Sequence, residues 1–349
     1  MKQALSTRNI IEDTFESYML RTRSQIESEL LKIIHGVSHL SLQPQIEYAV
    51  LSEGKRLRPL LVILSAESVG GDRHKIMPLA LAFELMHTAT LVHDDIIDQD
   101  KTRRGKLAVH KKWSINDAIL TGDALIALAV DLASKYDETV LHTVAQTALK
   151  LCDGVYKDVT FSLKTVNEEM YFRKIGEKSA SLFKASTYCG ALVGGGTRSE
   201  VYSLSMFGEN LGIAYQLLDD MADLSQKGKI VSKDLKSGII NLPLIHSYAT
   251  SNSSERKKIE ANLDAIRKGN PRKSYKNIES ILQIVLQKGS FHYCEQKIDK
   301  YLRQATESIA TLKNTRYKIY LAEMANALKN SINWSSQHIS SGLANEEQN

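Results

Sequence analysis

From Leu79 to Ile97 the chain is almost unbrokenly apolar, and this stretch ends in His93-Asp94-Asp95-Ile96-Ile97-Asp98. On a helix Asp94 and Asp98 lie one turn apart on the same face, with Asp95 beside them. Burying charge against apolar surface is costly unless something compensates it. A divalent cation would do so, and oxygen-only ligands select Mg²⁺ or Mn²⁺ over zinc. For this stretch alone, an acid-rich helix start is an equal reading. A second cluster, Asp219-Asp220-Met221-Ala222-Asp223, has the same spacing and also follows an apolar run, which favours the metal.

The rest of the chain sets the frame for these two clusters. It has 349 residues, 43% of them hydrophobic, enough for one large core or two ordinary ones. The net charge of +5 comes from 45 basic and 40 acidic residues. So even a balance argues against a nucleic-acid partner and suits a small anionic substrate. Cys152, Cys189 and Cys294 are far apart, with neither metal spacing nor a disulfide framework, which fits a reducing, cytoplasmic setting. Met1 to Glu12 has no apolar signal core, and Glu84, His87, Asp123 and Asp131 break the best apolar runs. No membrane span is expected.

Apolar residues recur at helical spacing nearly everywhere, and convincing β-alternation is absent, so the fold class is all-α with roughly a dozen helices. Pro44 marks a loop, Pro78 opens the long apolar helix, and Lys101 to Leu107 reads as a loop. Glu168 to Leu192 reads as one helix, and Gln226 to Asn241 as a loop or lid outside the core. No linker divides the chain. One domain is expected over residues 1–334, with a polar, frayed tail at 335–349.

Two carboxylate triads on separate helices could face one another across the central cavity of a helical bundle. Several Mg²⁺ ions there imply a highly anionic ligand, and a diphosphate fits better than an all-protein cage. Cations for it are at hand in Gly54-Lys55-Arg56-Leu57-Arg58-Pro59 and in Arg103-Arg104-Gly105, with Lys178 and Lys229 as further candidates.

Together these motifs resemble the trans-isoprenyl diphosphate synthases, the polyprenyl synthetase family, from about Glu12 to Leu328. Further matches are His87, His110, Gly122-Asp123, Lys178-Ser179-Ala180, Gln216 and Leu242-Pro243-Leu244. The resemblance implies an isoprenoid-synthase-type bundle that condenses isopentenyl diphosphate with an allylic prenyl diphosphate, head to tail and trans. It implies two or three Mg²⁺ ions, or Mn²⁺, on Asp94, Asp98 and Asp219, with Asp95, Asp220 and Asp223 ligating or supporting. Arg103 would hold the allylic diphosphate, assisted by Lys178, Ser179, Gln216 and Lys229. Lys55, Arg58, His87 and Arg104 would hold isopentenyl diphosphate. The catalytic set so implied is Asp94, Asp95, Asp98, Arg103, Lys178, Asp219 and Asp220. Two alternatives share the fold: a non-catalytic subunit of a hetero-oligomeric synthase, which typically loses the acidic motifs, and a terpene cyclase, which lacks the isopentenyl-binding cations. A homodimer is implied and a hetero-oligomer left open. The hydrocarbon product implies transient membrane contact on release, without an anchor.

The chain departs from the family in places. Gly238-Ile239-Ile240-Asn241-Leu242-Pro243 stands where Gly-Lys-x-Thr-Leu-Pro is common, so a diphosphate-binding lysine is missing at Ile239. Lys229, Lys233 or Lys236 are its candidate substitutes. Bulky residues just before the first aspartate set product length in the family. Here Ala89 and Thr90 are small and Met86 is flexible, and no insertion separates Asp95 from Asp98. A geranylgeranyl or longer product is expected, unless another helix supplies the floor.

Overall fold

The computed structural model describes residues 14–224, 232–267 and 271–344, with side chains to residue 330 apart from those of 233, 267 and 271–274. Helices dominate them. Helix α1 (Phe15–Gly36), α2 (Gln43–Val50), α3 (Leu57–Ser68) and α4 (Arg73–Ile97) lead to a small hairpin, β1 (Thr102–Arg103) and β2 (Lys106–Leu107). There follow α5 (Val109–Lys112), α6 (Ile115–Ala133) and α7 (Glu138–Thr160). Helix α8 (Glu168–Ile175) joins α9 (Ser181–Val193) through a π turn, Gly176–Ala180. The chain continues as α10 (Arg198–Leu224), α11 (Lys233–Ser237), α12 (Leu242–Thr250), α13 (Ser253–Arg267), α14 (Pro271–Gln287), α15 (Ser290–Ser308) and α16 (Arg316–Ala344).

The helix starts are written in the sequence. Thr14, Asp72, Ser114, Asp137, Asn167, Ser232 and Asn241 each turn a side-chain oxygen onto a backbone N–H of the first turn. Helix α4 lies at the centre, against α3, α6 and α9, and α10 packs on α9 and α15. Nearly all of α4 from Ile76 to Ala89 is buried. By length and composition it is the described helix that could cross a membrane, yet most of it is covered by the protein's own helices.

Several expectations about local structure are corrected. Pro44 lies inside the first turn of α2, where its missing N–H has no intrahelical partner to lose. Pro78 does not open α4; the helix begins under the Asp72 cap and runs through the proline. The rung beside it is rebuilt by Tyr136, whose hydroxyl accepts from the Leu79 N–H (3.2 Å) and donates to the Lys75 carbonyl (2.6 Å). Residues 101–107 contain a hairpin, not an open loop, with Thr102 opposite Leu107 and Arg103 opposite Lys106. Its turn, Arg104-Gly105, has φ of 52° and 78°, the left-handed pair that a tight antiparallel turn demands. Gln226 to Asn241 is no mere lid: α11 lies within it, and Leu235 and Ile240 are fully buried in the core. At the C-terminus α16 runs to Ala344, past Ser335; an established helix extends by one hydrogen bond per residue and needs no apolar face to do so.

Candidate functional site

The last turn of α4 and the last turns of α10 bring Asp94 and Asp219 into one cleft. Its first lobe, about 310 Å³, is walled by these two carboxylates, by Arg103 and Lys178, and by Thr90, Leu151 and Leu182 at an apolar end. The second, about 520 Å³, adds Lys55, Arg23 and Glu84. Arg58, His87, Arg104 and Tyr215 border both lobes. The volumes suit small-molecule ligands.

The two carboxylates are short of compensation. Burial pushes the Asp94 carboxyl up to about 6, with Asp98 adding to the rise and Lys178 opposing it. Asp219 is open to the cleft, yet the protein around it displaces enough water to push its carboxyl up to about 7, with Asp220 adding and Arg58 and Lys55 opposing. Among the described residues neither accepts a side-chain hydrogen bond. Asp98, half-buried, is raised by burial too. Arg103 and Lys178 are paired with Asp95 and Asp158, while other cations of the cleft are unspent. The buried Arg58 Nε has no hydrogen-bond partner, and its guanidinium stacks 4.7 Å over the Phe183 ring. His87 is held well below its ordinary value by burial and by Arg58 and Arg104, so it is a neutral imidazole at pH 7.

Local structure aims these groups. The hairpin turn divides its two arginines: Arg103 reaches Asp95 (2.7 Å) and Asp100 (3.3 Å) beside the first lobe, and Arg104 reaches the second as well. A Cβ at Gly54 would stand 2.6 Å from the Arg104 guanidinium, so the glycine makes room for it. Arg56, with φ 50°, is structural: it pairs with buried Glu84 (2.6 Å) and donates to the Val50 and Ser52 carbonyls. The π turn places Lys178 and Ser179, and π turns recur at functional sites for this kind of reason. Gly154 of α7 allows that turn to come close, since a Cβ there would meet the Lys178 backbone N at 2.4 Å. Lys178 is bound by Asp158, which also takes Lys174 at 2.6 Å. Ser179 donates to Gln216 (2.5 Å), and Gln216 donates to Asp220 (2.8 Å).

The expected site residues therefore divide. Asp94, Asp219, Arg58, His87, Arg103, Arg104, Lys178, Ser179, Gln216 and Thr90 line the first lobe, and Lys55 the second. Four acids do not line it. Asp98 borders neither lobe, though Lys178 is near enough to oppose the rise of its carboxyl. Asp95 turns toward Arg103 and Tyr48, Asp220 is held by Tyr171 (2.6 Å), and Asp223 accepts from Ser232 and from the Asp234 N–H (3.1 Å). Ala89 and Met86 are buried in the core and line neither lobe. Lys229 lies outside the described residues, as does the Lys233 side chain, and Lys236 is exposed. Asp158, Lys174, Tyr171, Tyr215, Leu151 and Leu182 had escaped notice. One signal was available: Lys174 and Lys178 repeat at helical spacing, and two like charges on one face call for a carboxylate between them.

Among the described residues no three acids, histidines or cysteines converge into a metal cage. What the cleft offers is carboxylate oxygens on one side and unpaired guanidinium and ammonium donors on the other. Divalent cations fit the first and phosphate oxygens the second, and the oxygens of a diphosphate would complete coordination that the protein leaves open. The raised carboxyls of Asp94 and Asp219 fix the sign of a pH effect. Their neutral forms suit the unliganded fold, so their contribution to stability is present below about pH 4 and is lost as pH rises through about 6 and about 7. A cation that needs both ionised binds better at higher pH. Calorimetry with magnesium pyrophosphate is expected to give at least about tenfold tighter binding at pH 8 than at pH 6; equal affinities would contradict it.

Comparison with known proteins agrees with this chemistry. Residues 39–284 match the family described as polyprenyl synthetase. A geranylgeranyl diphosphate synthase of Methanosarcina mazei is 32% identical over 289 residues, covering 80% of this chain and 86% of that protein. An octaprenyl diphosphate synthase of Escherichia coli is 30% identical, covering 82% and 90%. The geranylgeranyl pyrophosphate synthetase of Pyrococcus horikoshii superposes with a TM-score of 0.83 at 29% identity, over 90% of this chain and 98% of that one. A Caulobacter crescentus polyprenyl synthase, solved with calcium and isoprenyl diphosphate, gives 0.81 at 26% identity, over 90% and 98%.

Proposed function

The chain belongs to the polyprenyl synthetase family, and from that premise we propose how its cleft elongates a prenyl chain and how far. It is a prenyltransferase, joining isopentenyl diphosphate to an allylic diphosphate. The observation that carries the reading is the opposition of Asp94 and Asp219 across a lobe that Arg58, Arg103, Arg104 and Lys178 make cationic. Both acidic motifs and the isopentenyl-side cations are intact, which disfavours a non-catalytic subunit or a cyclase.

Divalent cations, Mg²⁺ in the family's usual practice, would supply Lewis-acid neutralisation of the leaving diphosphate from Asp94, Asp98 and Asp219. Arg103 and Lys178 hold the allylic diphosphate beside them, and Lys55, Arg58 and Arg104 hold isopentenyl diphosphate in the second lobe. The allylic C–O bond breaks, and its electron pair leaves on the diphosphate. The isopentenyl π bond then forms the new C–C bond to the allylic carbon, and one proton departs to the released diphosphate. No protein nucleophile is required. Leu151 and Leu182 keep water from the cationic carbon. Incubating the protein with labelled isopentenyl diphosphate, an allylic primer and Mg²⁺ tests this. Longer labelled prenyl diphosphates are expected, and their absence would overturn the assignment.

Small residues before Asp94 favour a product of geranylgeranyl length or longer. Ala89→Phe is expected to shorten it by one or more isoprene units, at a packing cost of about 1–3 kcal/mol, since Ala89 is fully buried. An unchanged product mass would place the stop at Leu151 and Leu182 instead. A homodimer is the favoured assembly. Ile119, Leu120 and Val130 on α6 and Leu149, Tyr156 and Val159 on α7 leave an exposed apolar face that a second copy would cover. Sedimentation equilibrium showing only monomer would refute this.

A further inference from the structure

The second acidic cluster has an unusual surplus of buried carboxylate. Asp220 is 6% exposed, and Asp158 beside it also 6%. Asp234 is near enough to both for each to disfavour its charge. The lysine expected after this cluster is absent, because position 239 is isoleucine. Into the same space, from α8, comes Lys174, whose side chain is only 5% exposed. Its ammonium donates to Asp158 Oδ1 (2.6 Å) and to the carbonyl of Ile240 (3.2 Å), the residue next to Ile239. It also stands 5.1 Å from the centre of the Tyr171 ring, whose hydroxyl binds Asp220.

We propose that Lys174 supplies, from α8, the positive charge that a lysine at position 239, between α11 and α12, would bring to the second acidic cluster, so that a cation has moved from a connecting segment to a helix without leaving the site. The inference rests on the reading of the cleft as a metal–diphosphate site. Lys174 touches neither lobe, so it is a positioning residue. Through Asp158 it fixes Lys178, and through the Ile240 carbonyl it ties that pair to the segment that follows the second acidic cluster. A lysine buried merely to neutralise Asp158 is the competing account. The two differ in what a relocated charge restores.

The test compares the parent protein, Lys174→Met, and Lys174→Met combined with Ile239→Lys. Asp158 keeps Lys178 in every variant, so the fold has a reason to survive, and circular dichroism with thermal melting checks it. Calorimetry with magnesium pyrophosphate is the readout. Lys174→Met is expected to weaken binding about tenfold. Adding Ile239→Lys is expected to return affinity to within about threefold of the parent. Parent-like binding by Lys174→Met would overturn the proposal. So would a double variant that regains its melting temperature but not its affinity. If the parent itself fails to bind magnesium pyrophosphate, the metal–diphosphate reading falls first, a result distinct from either.

Discussion

Asp94→Ala is expected to lower kcat/KM by roughly 10⁴-fold at saturating Mg²⁺, since metal-borne charge stabilisation is worth several kcal/mol and each 1.4 is a factor of ten. The loss should fall on turnover more than on retention of the substrates, because Arg58, Arg103, Arg104 and Lys178 remain to hold the diphosphates. Folding should not suffer. Asp94 is a half-buried carboxyl pushed up to about 6 with no hydrogen-bond partner, so its removal from the unliganded protein relieves a desolvation penalty. A variant more heat-stable than the parent and nearly inactive is thus the expected pair of results. Steady-state kinetics showing parent-like turnover would refute the role of the first acidic cluster.

Asp158→Ala should act in the opposite sense, on stability first. Asp158 is the shared anion of two ammonium groups, Lys174 and Lys178, and it lies 5% exposed. Its removal would strand Lys174 in the interior and leave Lys178 without its carboxylate at the cleft wall; breaking a buried pair costs about 3–5 kcal/mol. Urea denaturation measures it, and a loss under about 1 kcal/mol would mean that water or another acid takes over. The carboxyl feels burial, which raises its pKa, and its two lysines, which outweigh that and hold it below the usual carboxylate range. Its contribution is therefore complete above about pH 4 and is lost as pH falls through the lower folded-state value. Asp94 and Asp219 have the reverse dependence, so acid should weaken the Asp158 cluster while easing the metal-side carboxylates.

Much of the site was legible because its groups come in short local patterns. The spacing of Asp94 and Asp98 fixes one helical face, and Arg103-Arg104-Gly105 carries both the cations and the turn that separates them. The fold class followed from periodicity alone. What stayed hidden depends on tertiary contact. Asp158 is one of three acids on an amphipathic helix, and only the approach of α8 and the π turn at Gly154 gives it two partners. Asp95, Asp220 and Asp223 share the motif spacing with the cleft-facing acids, yet period alone cannot tell which side chain meets Arg103, Tyr171 or Ser232 instead. Pro78 misled for a different reason: a proline reads as a helix boundary unless something repairs the broken rung, and the repairing group, Tyr136, is remote in sequence.

That repair has a consequence for the order of assembly. The Leu79 amide and the Lys75 carbonyl, a matched pair in any ordinary helix, are bridged here by a hydroxyl borrowed from the segment between α6 and α7. The first turns of α4 can form early, but this one rung waits for a distant part of the chain to dock. The Leu79 amide is thus a built-in reporter. Its hydrogen exchange should slow when the α6–α7 corner seats, in step with its neighbours if the core closes all at once, and after them if that corner arrives last.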